Sequence, residues 1–313
     1  MNPDISKQKA RPRILITGAG GLIGNSICHL LYKHDFLIMA LYKSKPHQKL
    51  LWDYTYADIE KDQLQDILSY QNISAIIHCA AVIPNEQYSY EDCYKINTLI
   101  DKNISGYALK NDIKKIIFIS TTKVYGISNK VINEDTELRI ENLYSRAKAN
   151  SEELFFNMKN TEITCLRINA PYHYSQKSNT VLKIFINKIV SGEDIVYHGT
   201  GKRQQDFTHV MDIAVAAMCS LKRNKPGIYN IASGNPVSMK NLGELILSKM
   251  PDSASKILSS GMPDTQEDHK AIFDITKAKK ELGWQPSISL SDGIDEWIKY
   301  LNDDDRSFFR CAW

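Results

Sequence analysis

A tyrosine and a lysine four residues apart, Tyr144 and Lys148, are the pair in this chain best suited to moving a proton. The residues that follow keep a helical pattern to Met158, and on a helix positions i and i+4 share one face. An ammonium beside a phenol favours the phenolate and lowers its pKa, making it usable as an acid or base near neutral pH. The spacing alone is common, so its weight comes from what precedes it. Upstream lie Ser120, Thr121 and Thr122, hydroxyls clustered at the end of the apolar run Ile116 to Ile119. Further upstream the apolar run from Ala75 ends in Cys79, Ala80 and Ala81, whose small side chains leave room for a ligand at a strand's carboxyl end.

A second set of residues is suited to holding a diphosphate. Ile14 to Thr17 reads as a buried strand, Gly18, Gly21 and Gly24 form a G-x-x-G-x-x-G turn, and Leu22, Ile23, Ile27, Leu30 and Leu31 recur at helical spacing. Strand, glycine turn and helix open a nucleotide-binding βαβ unit. Glycine lets the backbone approach a pyrophosphate, and the helix N-terminus supplies free N–H groups and partial positive charge. Phe36 to Leu41 reads as the second strand. A carboxylate at its end would bind a ribose 2′-hydroxyl and repel a 2′-phosphate. The chain continues Tyr42-Lys43-Ser44-Lys45, with two lysines and no acid. The expectation is NADP, with NAD as the alternative.

Alternating strands and helices must carry these residues. Asp62 to Leu68 and Tyr90 to Leu109 read as helices, and Ile163 to Ile168 as a sixth strand. After it come a helix at Val181 to Val190, a strand at Ile195 and a helix at Ile213 to Leu221 with Asp212 as N-cap. A strand at Ile228 and helices at Leu242 to Met250 and Thr276 to Leu282 follow, with Gly283 as a C′ glycine and Trp284 in the core. His78, among apolar neighbours, reads as a satisfied core histidine. The fold class is α/β, a doubly wound parallel sheet with a smaller C-terminal substrate-binding domain. The expected division is 1–168 for the dinucleotide-binding domain, with 206–232 returning to it, and mainly 169–313 for the substrate domain.

Whole-chain properties set the bounds. The 313 residues carry a net charge of +3 without long basic runs, so no nucleic-acid partner is expected. No stretch has the length of a membrane span, and Met1 to Arg13 is polar with no apolar signal core. Cys28, Cys79, Cys93, Cys165, Cys219 and Cys311 are scattered without metal-ligand spacing, which points to a reducing compartment, the cytoplasm, and to no metal.

The ordered motifs resemble the extended short-chain dehydrogenase/reductases, most closely the nucleotide-sugar epimerase, dehydratase and reductase family. The resemblance runs from about Arg13 to Tyr300. Its pieces include Thr17 to Gly24, Asp58-Ile59, His78 to Ala81, Asn97, Ser120-Thr121, Tyr144 with Lys148, Leu166-Arg167, Gly199 to Gly201, Asp206 to Val210, Tyr229 to Gly234 and Leu282 to Pro286. It implies that Thr121, Tyr144 and Lys148 are catalytic, with Lys148 also holding the nicotinamide ribose. It implies cofactor contacts from Gly18, Gly21, Leu22, Ile23, Gly24, Lys43, Asp58, Ile59, Ala80, Ala81 and Asn97. Substrate contacts fall to Thr122, Asn169, Tyr172 and Arg203, and the assembly implied is a homodimer.

The chain also departs from that pattern. Family dehydratases carry an Asp-Glu pair after the catalytic hydroxyl, where this chain has Thr122-Lys123. An asparagine expected at Ala170 is one position early, at Asn169. An arginine expected at Gln205 has Arg203 nearby, and a second, ahead of Phe273, is replaced near Asp264. The expected activity is NADPH-dependent reduction of a keto group on a nucleotide-linked deoxysugar, with Tyr144 as proton donor. The alternative is a nucleotide-sugar 4-epimerase, and the further alternative a non-catalytic dinucleotide-binding regulator.

Overall fold

A computed structural model describes residues 13–46, 49–69 and 71–302. Cys311 and the aromatic tail from Phe308 lie outside the described residues, as do Met1 to Pro12. Seven strands form one parallel sheet: β1 (Arg13–Thr17), β2 (Ile38–Tyr42), β3 (Asp53–Tyr56), β4 (Ile73–His78), β5 (Lys115–Thr121), β6 (Glu162–Ile168) and β7 (Gly227–Ile231). Their spatial order is β7-β6-β5-β4-β1-β2-β3. The chain winds outward from β1 to β3, crosses back to β4 on the other side of β1, and winds outward again to β7. The order therefore reverses between β1 and β4, where Thr17 stands in register with His78. Ligands of open parallel sheets bind outside the carboxyl ends at such a reversal.

Both faces of this sheet are covered, which is why its strands read as continuous apolar runs. Ile14, Ile16, Ile77, Ile117 and Ile119 face a core made with α1 (Leu22–Lys33) and α6 (Val210–Lys222). Their alternates Leu15, Ile76, Ile116 and Phe118 face α3 (Tyr90–Lys110) and α4 (Leu143–Phe156), with the one-turn α2 (Leu64–Ile67) beside them. This period of two is what a strand requires when it is packed on both sides. Strand β3 departs from it. Asp53-Tyr54-Thr55-Tyr56 is mostly exposed and forms the sheet's edge, so its composition carried no strand signal.

A third core is built by α5 (Val181–Val190), α7 (Met239–Ser248) and α8 (Leu290–Asn302) around Tyr172, Phe207, Ile294 and Trp297. Short strand pairs brace it, including Ile195–Tyr197 with Ile257–Ser259. Its attachment to the sheet corrects one expectation. Asp212 does not cap α6; His209 does, accepting the Met211 N–H at 3.3 Å. The buried Asp212 carboxylate instead accepts from the Ser287 N–H and hydroxyl at 2.9 and 2.8 Å and from the Ile288 N–H at 3.1 Å. It thereby fixes the segment that leads into α8.

Candidate active site

A cavity of about 180 Å³ opens at the carboxyl ends of β1, β2 and β4. Gly18, Gly21, Lys43, Asp58, Ile59, Ala80 and Ala81 line it, so seven of the residues expected at the cofactor meet in one place. Gly18 has φ +66°, and a Cβ there would stand 2.7 Å from the Ala80 N, so only glycine lets the two backbones touch. Leu22, Ile23 and Gly24 open α1 behind the turn. A Cβ on Gly24 would collide with the Gly18 carbonyl, which explains the third glycine as a packing requirement. Asn97 reaches across from α3. Its Oδ1 accepts the Val82 N–H at 2.8 Å and its Nδ2 donates to the Val82 carbonyl at 2.9 Å, holding the cavity wall.

This chemistry fits a dinucleotide. The N-cap of α1 is Gly21, which gives no side-chain cap, and the first turn holds no acid. The helix therefore presents orphan N–H donors and its positive dipole end, as a diphosphate requires.

Behind the glycine turn runs a buried polar relay. Thr17 Oγ1 and His78 Nδ1 lie 2.6 Å apart, and His78 Nε2 is 2.6 Å from Asp101 Oδ1. Ser151 of α4 donates to the other Asp101 oxygen, and the Cys79 and Ala80 N–H groups donate to Thr17 Oγ1 at 3.2 Å each. His78 is thus a satisfied core histidine, and its relay ties the cavity floor to α3 and α4.

Helix α4 positions Tyr144 and Lys148. Asn142 caps it, accepting the Ser145 N–H at 2.9 Å, which places Tyr144 in the first turn and Lys148 one turn below. Lys148 is buried, donates to the Ile119 carbonyl at 3.0 Å, and lies over the Phe118 ring. Burial lowers its pKa, against the pull of Asp101. The expected depression of the Tyr144 pKa is corrected here. Burial raises it, and Cys93 and Asp101 raise it further. The Lys148 ammonium is turned toward the Ile119 carbonyl of β5.

At the end of β5, Thr121 Oγ1 accepts the Lys123 N–H at 3.2 Å, leaving the hydroxyl proton to donate elsewhere. Thr122 donates to Asn169 Oδ1 at 2.8 Å, and Asn169 Nδ2 donates to the Asp206 carbonyl at 2.7 Å, so these two residues join β5, β6 and the 206 loop. Tyr172 is corrected as a substrate contact. It is 1% exposed, its hydroxyl donates to the Ser289 carbonyl at 3.3 Å, and its ring packs on Phe207 and His209 in the third core. Arg203 is present but engaged: its Nε is 2.7 Å from an Asp264 carboxylate oxygen. The acid in the place of an expected arginine thus neutralises the arginine that stands nearby.

Lys43 is engaged as well. Its Nζ lies 3.2 Å from Glu60 and 3.6 Å from Asp58, both from the loop after β3. The NADP expectation treated the end of β2 as free of acid. The sheet overturns that premise, because β3 pairs in register with β2 and brings Glu60 to the cavity wall. The signal was an unrecognised edge strand.

One further cluster brings side chains of ligating type together. Among the described residues, the ligand atoms of His173, His209 and Glu296 lie within 4.8 Å of one another. The Nδ1 atoms of both histidines accept backbone N–H groups, from Ser175 and Met211. The protons therefore sit on the Nε2 atoms, which stand 3.6 and 3.3 Å from the Glu296 carboxylate. A metal on Nε2 would need the opposite tautomer. The cluster reads as a latch between α8 and the start of α6.

The comparisons agree with this geometry. The chain is 32% identical to the dTDP-4-dehydro-6-deoxyglucose reductase of Escherichia coli, over 92% of this chain and 97% of that one. It is 28% identical to a putative UDP-glucose 4-epimerase of Methanocaldococcus jannaschii, over 94% and 100%. The UDP-glucose 4-epimerase of Thermotoga maritima, solved with UDP-glucose, shares the fold with a TM-score of 0.83 at 23% identity, over 93% of this chain and all of that one. Residues 14–232 match the NAD-dependent epimerase/dehydratase family. The chain therefore belongs to that family and is an NAD(P)-dependent enzyme of the extended short-chain dehydrogenase type.

Proposed function

We propose that the chain reduces a keto group, most plainly the 4-keto group of a nucleotide-linked deoxysugar, with a nicotinamide dinucleotide as hydride source. The observation that carries this reading is the 32% identity, over 92% of this chain, to the E. coli dTDP-4-dehydro-6-deoxyglucose reductase, together with Tyr144 and Lys148 on α4 held against β5 where Thr121 ends the strand. Tyr144 is the proton donor of this reading, and burial raises its pKa. A 4-epimerase would use the same three residues, because epimerisation is an oxidation followed by a reduction on the other face. The bound nicotinamide supplies the hydride. Tyr144 delivers the proton to the new hydroxyl oxygen, Thr121 donates a hydrogen bond to the same oxygen while it is still a carbonyl, and Lys148 holds the nicotinamide ribose. Gly18, Gly21 and the N-terminus of α1 hold the diphosphate, and Asp58 and Ile59 the adenine edge.

Thr122-Lys123 at the end of β5 offers no carboxylate to eliminate water, which sets dehydration aside. The sugar nucleotide would lie between β5 and the third core, against Thr122, Asn169 and Arg203, with Arg203 exchanging Asp264 for a substrate phosphate. The E. coli reductase at 32% identity supports the assignment. A 4-epimerase is the second reading, favoured by the neutralised Lys43, since an epimerase commonly retains NAD.

The test is to incubate the purified chain with a nucleotide 4-keto-6-deoxysugar and follow reduced cofactor. Consumption in proportion to substrate is expected. Tightly held, non-exchanging NAD with interconversion of 4-epimers would establish the epimerase instead. The proposal also includes a homodimer through α3 and α4. These helices pack together and expose Tyr90, Leu99, Leu109, Leu143 and Phe156. Sedimentation at twice the mass of one chain is the expected result.

A further inference from the structure

We infer that Glu60 is the residue by which this protein selects the form of its dinucleotide, favouring a free adenosine 2′-hydroxyl over a 2′-phosphate. The inference deepens the dinucleotide-binding reading above and rests on it. In a doubly wound sheet the side chain at the end of β2 faces the adenosine ribose. Here β2 ends at Tyr42, and Lys43, the next residue at the same cavity, taken alone would receive a 2′-phosphate. Its Nζ is already 3.2 Å from a Glu60 oxygen, and Glu60 lines the same cavity with only 17% of its side chain exposed. Around this pair the acids Asp58, Glu60 and Asp62 outnumber the lysines Lys43 and Lys61. Asp58 lies 3.6 Å from both Lys43 and Lys61, and Asp62 accepts the Asp58 N–H at 2.7 Å.

A phosphate arriving at Lys43 would bring up to two negative charges into a cluster that has no surplus cation in these pairs. It would have to displace Glu60 and leave that carboxylate beside it. A ribose hydroxyl faces no such conflict, because it donates a hydrogen bond to a carboxylate. Glu60 thus does from the loop after β3 what an acid at the end of β2 would otherwise do. The sequence position gives no hint of this, because the two segments meet only through the pairing of β2 with β3.

The test is equilibrium binding of NADH and NADPH to the full chain, followed by nicotinamide fluorescence and calorimetry, without sugar substrate. Binding alone separates this inference from the reductase reading, which concerns turnover. The native protein is expected to bind NADH at least about tenfold more tightly than NADPH, the scale of one uncompensated charge contact near a protein surface. Glu60→Gln keeps the side chain's size and its ability to accept from Lys43, but removes the charge. It is expected to strengthen NADPH binding about tenfold and leave NADH within about threefold. Lys43→Ala distinguishes the partners: it should weaken NADPH in the Glu60→Gln background but barely change it in the native chain. Tighter NADPH than NADH in the native protein would overturn the inference, as would an unchanged NADH/NADPH ratio in a folded Glu60→Gln variant. Binding of neither dinucleotide would overturn the underlying reading with it.

Discussion

Tyr144 and Lys148 stand one turn apart at the start of α4, and the lysine is held still. Lys148 has its carbonyl partner at Ile119 and lies over an aromatic ring, so its position is fixed before any ligand arrives. Tyr144 is half-buried with its pKa raised. Tyr144→Phe keeps the ring and removes the proton. Dinucleotide binding should stay within about twofold of native while turnover of a keto-sugar falls about a hundredfold or more, the usual scale for loss of a general acid. Turnover within tenfold of native would take Tyr144 out of the mechanism. Lys148→Met should weaken dinucleotide binding as well as turnover. The Tyr-Lys spacing was legible because it follows from the helical period alone. The direction of the pKa shift was not, because it depends on burial and on Asp101, which lies more than forty residues away in the chain and reaches the site through α3.

Elements that announce themselves by period or by glycine were legible, and those that depend on a partner were not. Val181–Val190 is found where its apolar spacing places it, with Thr180 as N-cap. The glycine turn and β1 are likewise where their residues put them. The edge strand β3 escaped notice because an exposed strand needs no apolar alternation, and with it went Glu60. Helix α8 also escaped, although Ile294 and Trp297 are buried and Leu290, Ile298, Tyr300 and Leu301 pack against the same core. Its place is set from outside, by Asp212 holding Ser287 and Ile288, and by Glu296 facing His173 and His209. The misassignment of Asp212 as a cap has the same origin, since its three donors lie more than seventy residues downstream. Asp212→Ala should leave those donors without their charged acceptor and lower the unfolding free energy by about 2 kcal/mol, measured by urea denaturation. A loss below about 0.5 kcal/mol would show that water replaces the carboxylate and that α8 is held by its apolar face alone. Asp212→Asn, which can still accept one or two of the bonds, should fall between.

At the scale of the whole molecule, the histidines that packing keeps neutral make the fold sensitive to mild acid. Burial, aided by Lys33, pulls the His29 pKa down to about 4 where its ring meets Trp52 edge-on. Burial also lowers His173 and His269, the first beside His209 and the second near Arg203. A histidine with a lowered pKa in the folded state stays neutral while the unfolded chain takes up a proton. The unfolded state therefore binds more protons below its own pKa of about 6.5, and stability falls as pH drops from there toward the folded values. For His29 the window runs from about 6.5 to about 4 and is worth about 2–3 kcal/mol in all. Glu296 adds a later stage. Burial would raise it, but His173 and His209 outweigh burial and hold it near 2, so its contribution is complete above the ordinary glutamate range and disappears below it. The melting temperature should therefore be flat from pH 8 to pH 7, fall by several degrees between pH 6.5 and pH 4.5, and fall again below pH 4. His29→Gln, which cannot titrate, should flatten the first stage by the share His29 contributes while leaving the second in place. A melting temperature constant from pH 7 to pH 5 would contradict this reading. So would a His29→Gln variant whose profile parallels the native one across the first stage, since the proton uptake would then lie elsewhere.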